Sequence, residues 1–293
     1  MNETMSELIE STILYLNGFT SQQDPSTYLT ENLTASALEV NVNDASAIGR
    51  GIIEIDNEIM QVEKVDRQSN ILTVPPYGRG FRGTQALQHE AGVRVAGSPQ
   101  FPRHSVRQAL HDAIRAVYPD VYATADQWIP SEAVITDYPL THLNARHVLK
   151  VTAERVGPTQ EWLPIRRYEL KPYKEGGMAI SVYDRPVPGF KIHVRTAGTP
   201  FVPEDDTELF SETGLPESAM DLVRLGAAYR LVPNVETPLL SGLSAQADFA
   251  SNMRPVGAGQ NLGKYILGLY RERLMEVRRQ QQQENPIRAH YER

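Results

Sequence analysis

The chain predicts an α+β fold: a helical core with two inserted β regions, ending in an extended C-terminal arm. Three observations lead there. Apolar residues recur at three- and four-residue spacing in 5–16, 106–117 and 262–277, the stripe of an amphipathic helix. Residues on either side of Asp56-Asn57 alternate apolar and polar, as two half-buried strands joined by a tight turn do. Between 145 and 203, β-rich runs are separated by Gly/Pro turn signals, the rhythm of a small sandwich or barrel. The expected divisions are 1–36 and 101–144 for the first part of the helical core, 37–100 for a β-module and 145–203 for a β-domain. Residues 204–260 complete the helical core, and 261–293 form a last helix and arm.

In order, Met5, Leu8, Ile9, Ile13 and Leu16 define one face of a first helix, with Ser6 or Asn2 as cap and Gly18 as stop. Asp24-Pro25-Ser26 offers the start of a short second helix in an otherwise ambiguous polar stretch. Residues 37–42 alternate weakly. The hairpin 53–62 follows, turning at Asp56-Asn57, both residues that tolerate a left-handed backbone. A third strand at 70–74 comes after the polar turn 66–69. The glycine-studded run 77–84 holds Arg79, Gly80, Arg82, Gly83 and Thr84, and 93–95 is a final short strand. From Ser105 a clear amphipathic helix buries Val106, Ala109, Leu110, Ala113, Ile114 and Val117, leaving His111 and Asp112 outside. The β-domain's strands are expected at 147–152, 162–170, 178–183 and 190–196. Pro216-Glu217 opens a further helix lined by Ala219, Leu222, Val223, Gly226 and Ala227. Residues 243–253 are another helical candidate. The last helix, 261–283, turns Leu262, Tyr265, Ile266, Leu269, Leu274 and Val277 inward, and 284–293 is a polar segment that is disordered when alone.

A hydrophobic fraction of 41% suffices for a core over 293 residues, and the mean hydropathy of −0.38 is that of a soluble protein. No run approaches the ~18 apolar residues of a membrane span. The acidic, polar start reads as no signal peptide. Zero cysteines exclude disulfides and thiolate metal sites. Charge is asymmetric. From Lys264 onward seven Lys and Arg face four acids, a net +3, which leaves −10 on the rest of a chain whose total is −7.

No catalytic, metal or cofactor pattern emerges. The histidines, His89, His104, His111, His142, His147, His193 and His290, show no His-x-His or His-Glu-x-x-His spacing. No Gly-x-Ser-x-Gly elbow occurs, and Gly257-x-Gly259 lacks the strand and Lys-Ser/Thr of a nucleotide loop. Glu54, Asp56, Glu58 and the run 204–206 read as solvated surface acids. His89 reads as a loop-fixing residue bonded to neighbouring backbone. The expectation is a non-enzyme.

The stretch 51–95 resembles a β-module that recurs in virion proteins of tailed bacteriophages. There, a strand pair bearing Asp-x-Glu precedes Arg-Gly-x-x-Gly-Thr, then Ala-x-x-His and Gly-x-x-Val. The matching residues are Asp56 and Glu58; Arg79, Gly80, Gly83 and Thr84; and Ala86, His89, Gly92 and Val95. Arg82 lies within this structural loop at a position the pattern leaves free. The order of helices and β regions further resembles the adaptor family of head-to-tail connection proteins. That resemblance implies a twelve-copy ring beneath the portal, a next neck or tail protein (stopper or terminator), genomic DNA passing without specific binding, and no membrane. It also implies a place in the virion neck, assembled in the host cytoplasm. The family's portal-docking role falls on the C-terminal arm. Arg271, Arg273, Arg278 and Arg279 pair with acidic portal surface there, and Ile287, His290 and Tyr291 complete the contact. Other neck positions (stopper, terminator) remain open, as does a tail-tip or baseplate module in which Trp162, beside Pro164, contacts a cell-surface glycan. A DNA-binding role for the basic arm has no groove-reading motif behind it.

Overall fold

A computed structural model describes residues 3–19, 24–133, 135–142, 144–155, 161–184, 186–232 and 258–286. It is mixed α+β, with four helices among these residues: α1 (Met5–Asn17), α2 (Arg103–Ala116), α3 (Met220–Leu231) and α4 (Ala258–Glu284). Fourteen short strands form four antiparallel sheets. The chain divides into two compact units. One is Ser6–Leu110 with Gly226–Leu267; the other is Met1–Met5 with His111–Leu225 and Gly268–Arg293.

In the first unit, β3 (Gly51–Ile55) and β4 (Glu58–Val62) form the predicted hairpin, with Ile55 opposite Glu58 across the two-residue turn. Asp56 takes the left-handed conformation, φ 50°, that the turn demands. Strand β7 (Arg94–Gly97) pairs with β3, and β1 (Ser26–Tyr28) pairs with β7. A second sheet holds β2 (Glu39–Asn41), β6 (Ile71–Thr73) and β5 (Lys64–Asp66), with β6 central. Between β5 and β6 the Asp66 carboxylate accepts the Gln68 amide at 3.0 Å, stabilising the turn. Val40, Ile53, Ile55, Met60, Leu72 and Val95, drawn from both sheets, meet in one apolar core. Strand β1 corrects two expectations. The Asp24-Pro25-Ser26 stretch leads into a strand rather than a helix, and the β region begins well before residue 37.

In the second unit, a four-stranded sheet has the order β11 (Trp162–Pro164), β10 (Ala145–Glu154), β14 (Lys191–Gly198), β8 (Ala123–Pro130). A three-stranded sheet runs β12 (Tyr168–Pro172), β13 (Met178–Val182), β9 (Asp137–Pro139). Ile129, Val151, Ile192 and Val194 of the first and Tyr138 and Ile180 of the second enter one core cluster. Strands β8 and β9 fall in 101–144, which the sequence assigned to helix. The single expected strand 162–170 is two, β11 and β12.

The helical faces follow the apolar spacing. On α1, Met5, Leu8, Ile9 and Leu16 are buried, and Thr12 is buried beside them with its hydroxyl on the Leu8 carbonyl at 2.6 Å. Ser6 lies inside the helix and accepts a bond from Arg103. On α2 the predicted Val106, Ala109, Leu110, Ala113 and Ile114 are buried, as is Val117 just past its end, and so is His111, placed outside by the sequence. A 3₁₀ turn at Glu217–Ala219 leads into α3. Helix α4 buries Ile266, Tyr270, Val277 and Gln281, whereas Tyr265 points outward, 60% exposed. The helix expected at 261–283 is present, beginning three residues earlier, at Ala258, and ending at Glu284. Residues 243–253 lie outside the described residues. No helix among the described residues is long and apolar enough to cross a membrane.

Candidate functional site

Glu58 opens β4, one residue past the hairpin turn, with its side chain fully buried. A buried carboxylate is costly unless every lone pair is used, and here five donors converge on it. Arg79 binds it bidentately, Nε to Oε1 at 2.7 Å and Nη2 to Oε2 at 2.9 Å. The Gly80 amide donates at 3.0 Å, the Leu87 amide at 2.9 Å, and His89 Nε2 lies 3.0 Å away. The other His89 nitrogen, Nδ1, is 2.8 Å from Asp56 at the turn. Arg79 spends its remaining donors on the carbonyls of Thr34, Ala37 and Leu87. One carboxylate thus ties the hairpin, the glycine loop and the segment before β2 together.

The backbone supports this arrangement. Gly80 is left-handed at φ 59°, and a Cβ there would sit 2.8 Å from the Thr84 carbonyl. Arg82 also adopts positive φ, 55°, in the 3₁₀ turn Phe81–Gly83, and is exposed. Gly83 (φ 83°) and Gly92 (φ 87°) are left-handed as well. The Thr84 hydroxyl donates to the Phe81 carbonyl at 2.9 Å and accepts the Ile59 amide at 3.1 Å, closing the turn against β4. The His89 main chain exchanges two bonds with Leu33.

Charges match the geometry. Burial alone pushes the Glu58 carboxyl up, but Arg79, His89 and the two amides outweigh it and hold it down at about 2. Burial likewise disfavours a charged His89, yet Asp56 and Glu58 raise it to about 9. The centre is therefore a +/−/+ arrangement with Asp56 closing it from the solvent side. No group of three or more His, Asp and Glu among the described residues is placed to hold a metal ion. The Glu58 lone pairs are engaged by donors from the same fold, which fastens the loop to the hairpin.

Two expectations are corrected. Glu54 and Glu58 are buried rather than solvated, and the His89 ring engages carboxylates rather than backbone. Glu54 on β3 faces the start of α2, where the Arg103 and His104 amides favour its charged form, while burial raises it to about 7. Its Oε1 has no hydrogen-bond partner. Arg103 fastens this corner, binding Asn57 of the turn at 2.8 Å, Ser6 at 2.8 Å and Glu10 of α1.

No family model and no curated protein matches this chain.

The four arginines of α4 divide into pairs. Arg273 contacts Glu276 at 2.5 Å, and Arg278 contacts Asp120 at 2.9 Å. Arg271 and Arg279 are exposed and form no ion pair among the described residues. The C-terminal half of α4 is clasped to the start of β8. Gln281 accepts the Tyr122 amide at 3.1 Å and donates to the Tyr122 carbonyl at 2.6 Å, and the Tyr122 hydroxyl bonds the Asn285 carbonyl. Ile287, His290 and Tyr291 lie outside the described residues.

Sequence reasoning missed a surface cluster of Asp126, Trp128, His193 and Arg195 around Trp162. The missing signal was β8. Its alternation of Asp126 and Trp128 with Ile129 is broken by Thr124, Ala125 and Gln127, none of them strongly apolar.

Proposed function

We propose that this chain is a virion structural protein, a head-to-tail adaptor whose copies, twelve in the reading favoured by its layout, form a ring joining a portal to the neck or tail. One observation carries the reading. Three residues behind the resemblance, Arg79, Gly80 and His89, bond the Glu58 carboxylate directly, and a fourth, Asp56, joins through His89, so this part of the pattern is a physically interacting unit, which supports the reading. Such a module gives an assembly a rigid part that acts by shape. A ring subunit buries its flanks heterologously against two neighbours, with rotation closing the set. Arg271 and Arg279, left outward on α4, serve the portal contact together with residues beyond Pro286. The acidic body, −10 before Lys264, lets DNA pass without adhering, because like charge removes the phosphate-binding contribution. The protein performs no reaction in this role.

Mixing purified chain with portal and imaging by negative stain tests the proposal. A ring seated on the portal is expected, and Arg271→Glu with Arg279→Glu should weaken the seating. A monomer indifferent to the portal refutes it.

A further inference from the structure

The chain contains two tryptophans, and both lie on one outward sheet face. In an antiparallel ladder directly opposed residues share a face. His193 of β14 is opposite Trp128 of β8 and Thr152 of β10. Glu154, two residues on, is opposite Trp162 of β11. The rings meet: Trp128 stacks on His193 at 4.9 Å and 28°, and Trp162 approaches the same imidazole edge-on at 6.1 Å. Trp128 is 57% exposed, an unusual position for the largest apolar side chain.

We infer that this face is a carbohydrate-binding platform for a polysaccharide, with Trp128 and Trp162 as stacking surfaces. The surroundings of the rings favour a sugar over a protein partner. Ile129, Val151, Ile192 and Val194 of these strands enter the buried core on the other side of the sheet. The exposed side interleaves the indoles with Asp126, Lys150, Glu154 and Arg195 instead. Protein interface cores are depleted in charge and continuous in apolar contact. A pyranose ring is the reverse, a flat C–H face rimmed by hydroxyls, and needs a flat apolar surface with donors and acceptors beside it. The polar groups are held in place for that purpose. Asp126 accepts from Arg195 Nε at 2.7 Å and Nη2 at 2.8 Å, and from His193 Nε2 at 2.8 Å. The other His193 ring nitrogen, Nδ1, makes no hydrogen bond among the described residues and is open to a ligand hydroxyl. Exposed Lys150 supplies donors on the same face.

The inference does not rest on the ring reading, and it is tested on the full chain without portal. All tryptophan emission comes from this face, so fluorescence titration reads it directly. Probes are chitohexaose, maltoheptaose and a soluble mannan. At least one should change the emission saturably with a Kd of about 1 mM or tighter. Trp128→Ala should weaken binding about tenfold or more, monitored through Trp162 and by affinity electrophoresis, and Trp128→Tyr should retain most of it. Leu163→Ala, exposed on the opposite side of β11, should leave binding unchanged. The inference is overturned if no probe alters the emission, or if Leu163→Ala weakens binding as much as Trp128→Ala. It is equally overturned if sugar-free emission shifts to the blue with protein concentration and Trp128→Ala abolishes the shift, since a second copy then covers the face.

Discussion

Substituting Glu58→Gln keeps the shape of the buried side chain and removes its charge, leaving Arg79 and a protonated His89 facing each other across an amide. The Glu58 carboxyl is held at about 2 against an ordinary 4.5, and His89 at about 9 against 6.5. Each displacement corresponds to about 3 kcal/mol at 1.36 kcal/mol per pH unit. Both include the shared Glu58–His89 contact, beside Arg79 for the one and Asp56 for the other, so they are not summed, and the share due to half-exposed Asp56 is screened. Removing one member of a buried ion pair costs about 3–5 kcal/mol elsewhere, which agrees. Because both tryptophans lie in the other unit, the informative assay is amide hydrogen exchange in the β-module. The Gly80 and Leu87 amides donate directly to the missing carboxylate and should exchange about 100-fold faster, the equivalent of about 3 kcal/mol. The pH dependence supplies an independent check. A base whose folded value is raised stabilises fully below 6.5 and loses that contribution as pH climbs through about 9. Protection in the native module, the exchange rate relative to the intrinsic rate at each pH, should therefore fall across that interval, and the variant should show a much flatter protection profile. A cost below about 1 kcal/mol, or an unchanged profile between 6.5 and 9, would refute the assignment of this centre as the module's organising interaction.

Other substitutions follow from the same contacts. Glu54→Gln should stabilise the chain in alkaline solution. A carboxyl raised from 4.5 to about 7 disfavours folding increasingly above 4.5 and fully above 7, so urea melts should show a gain of up to about 3 kcal/mol at pH 8.5 and none at pH 4. Gly80→Ala forces a left-handed alanine against the Thr84 carbonyl and should cost about 1–3 kcal/mol by the same melts. Gln281→Leu strands the Tyr122 amide and carbonyl, costing about 1–3 kcal/mol, and should expose the bonds after Arg278 and Arg279 to limited trypsin digestion.

Where periodicity was strong, the chain was legible. The hairpin about Asp56-Asn57 and the buried face of α2 follow from alternation and from three- and four-residue spacing, because burial of one face is what those elements do. The partners of Glu58 were named by resemblance, but their purpose was not. Nothing local in Asp-x-Glu says that the second acid turns inward, because that depends on Arg79 arriving from a loop 21 residues away. Strand β1 was hidden because three residues give no period to read. Strand β8 was hidden because five of its eight residues are small or polar, and its strand character comes from pairing with β14 over all eight positions. Tertiary hydrogen bonding decided both cases over local preference.

Residues 79–89 contain only a three-residue 3₁₀ turn by way of regular structure, yet they are anchored at Arg79, Gly80, Thr84, Leu87 and His89. Between those anchors Arg82, Gln85 and Gln88 are exposed, and none of them helps to fasten the loop. Scaffold and display are thereby separated within eleven residues: the lettering presented to the outside can be rewritten while the frame beneath it stays rigid.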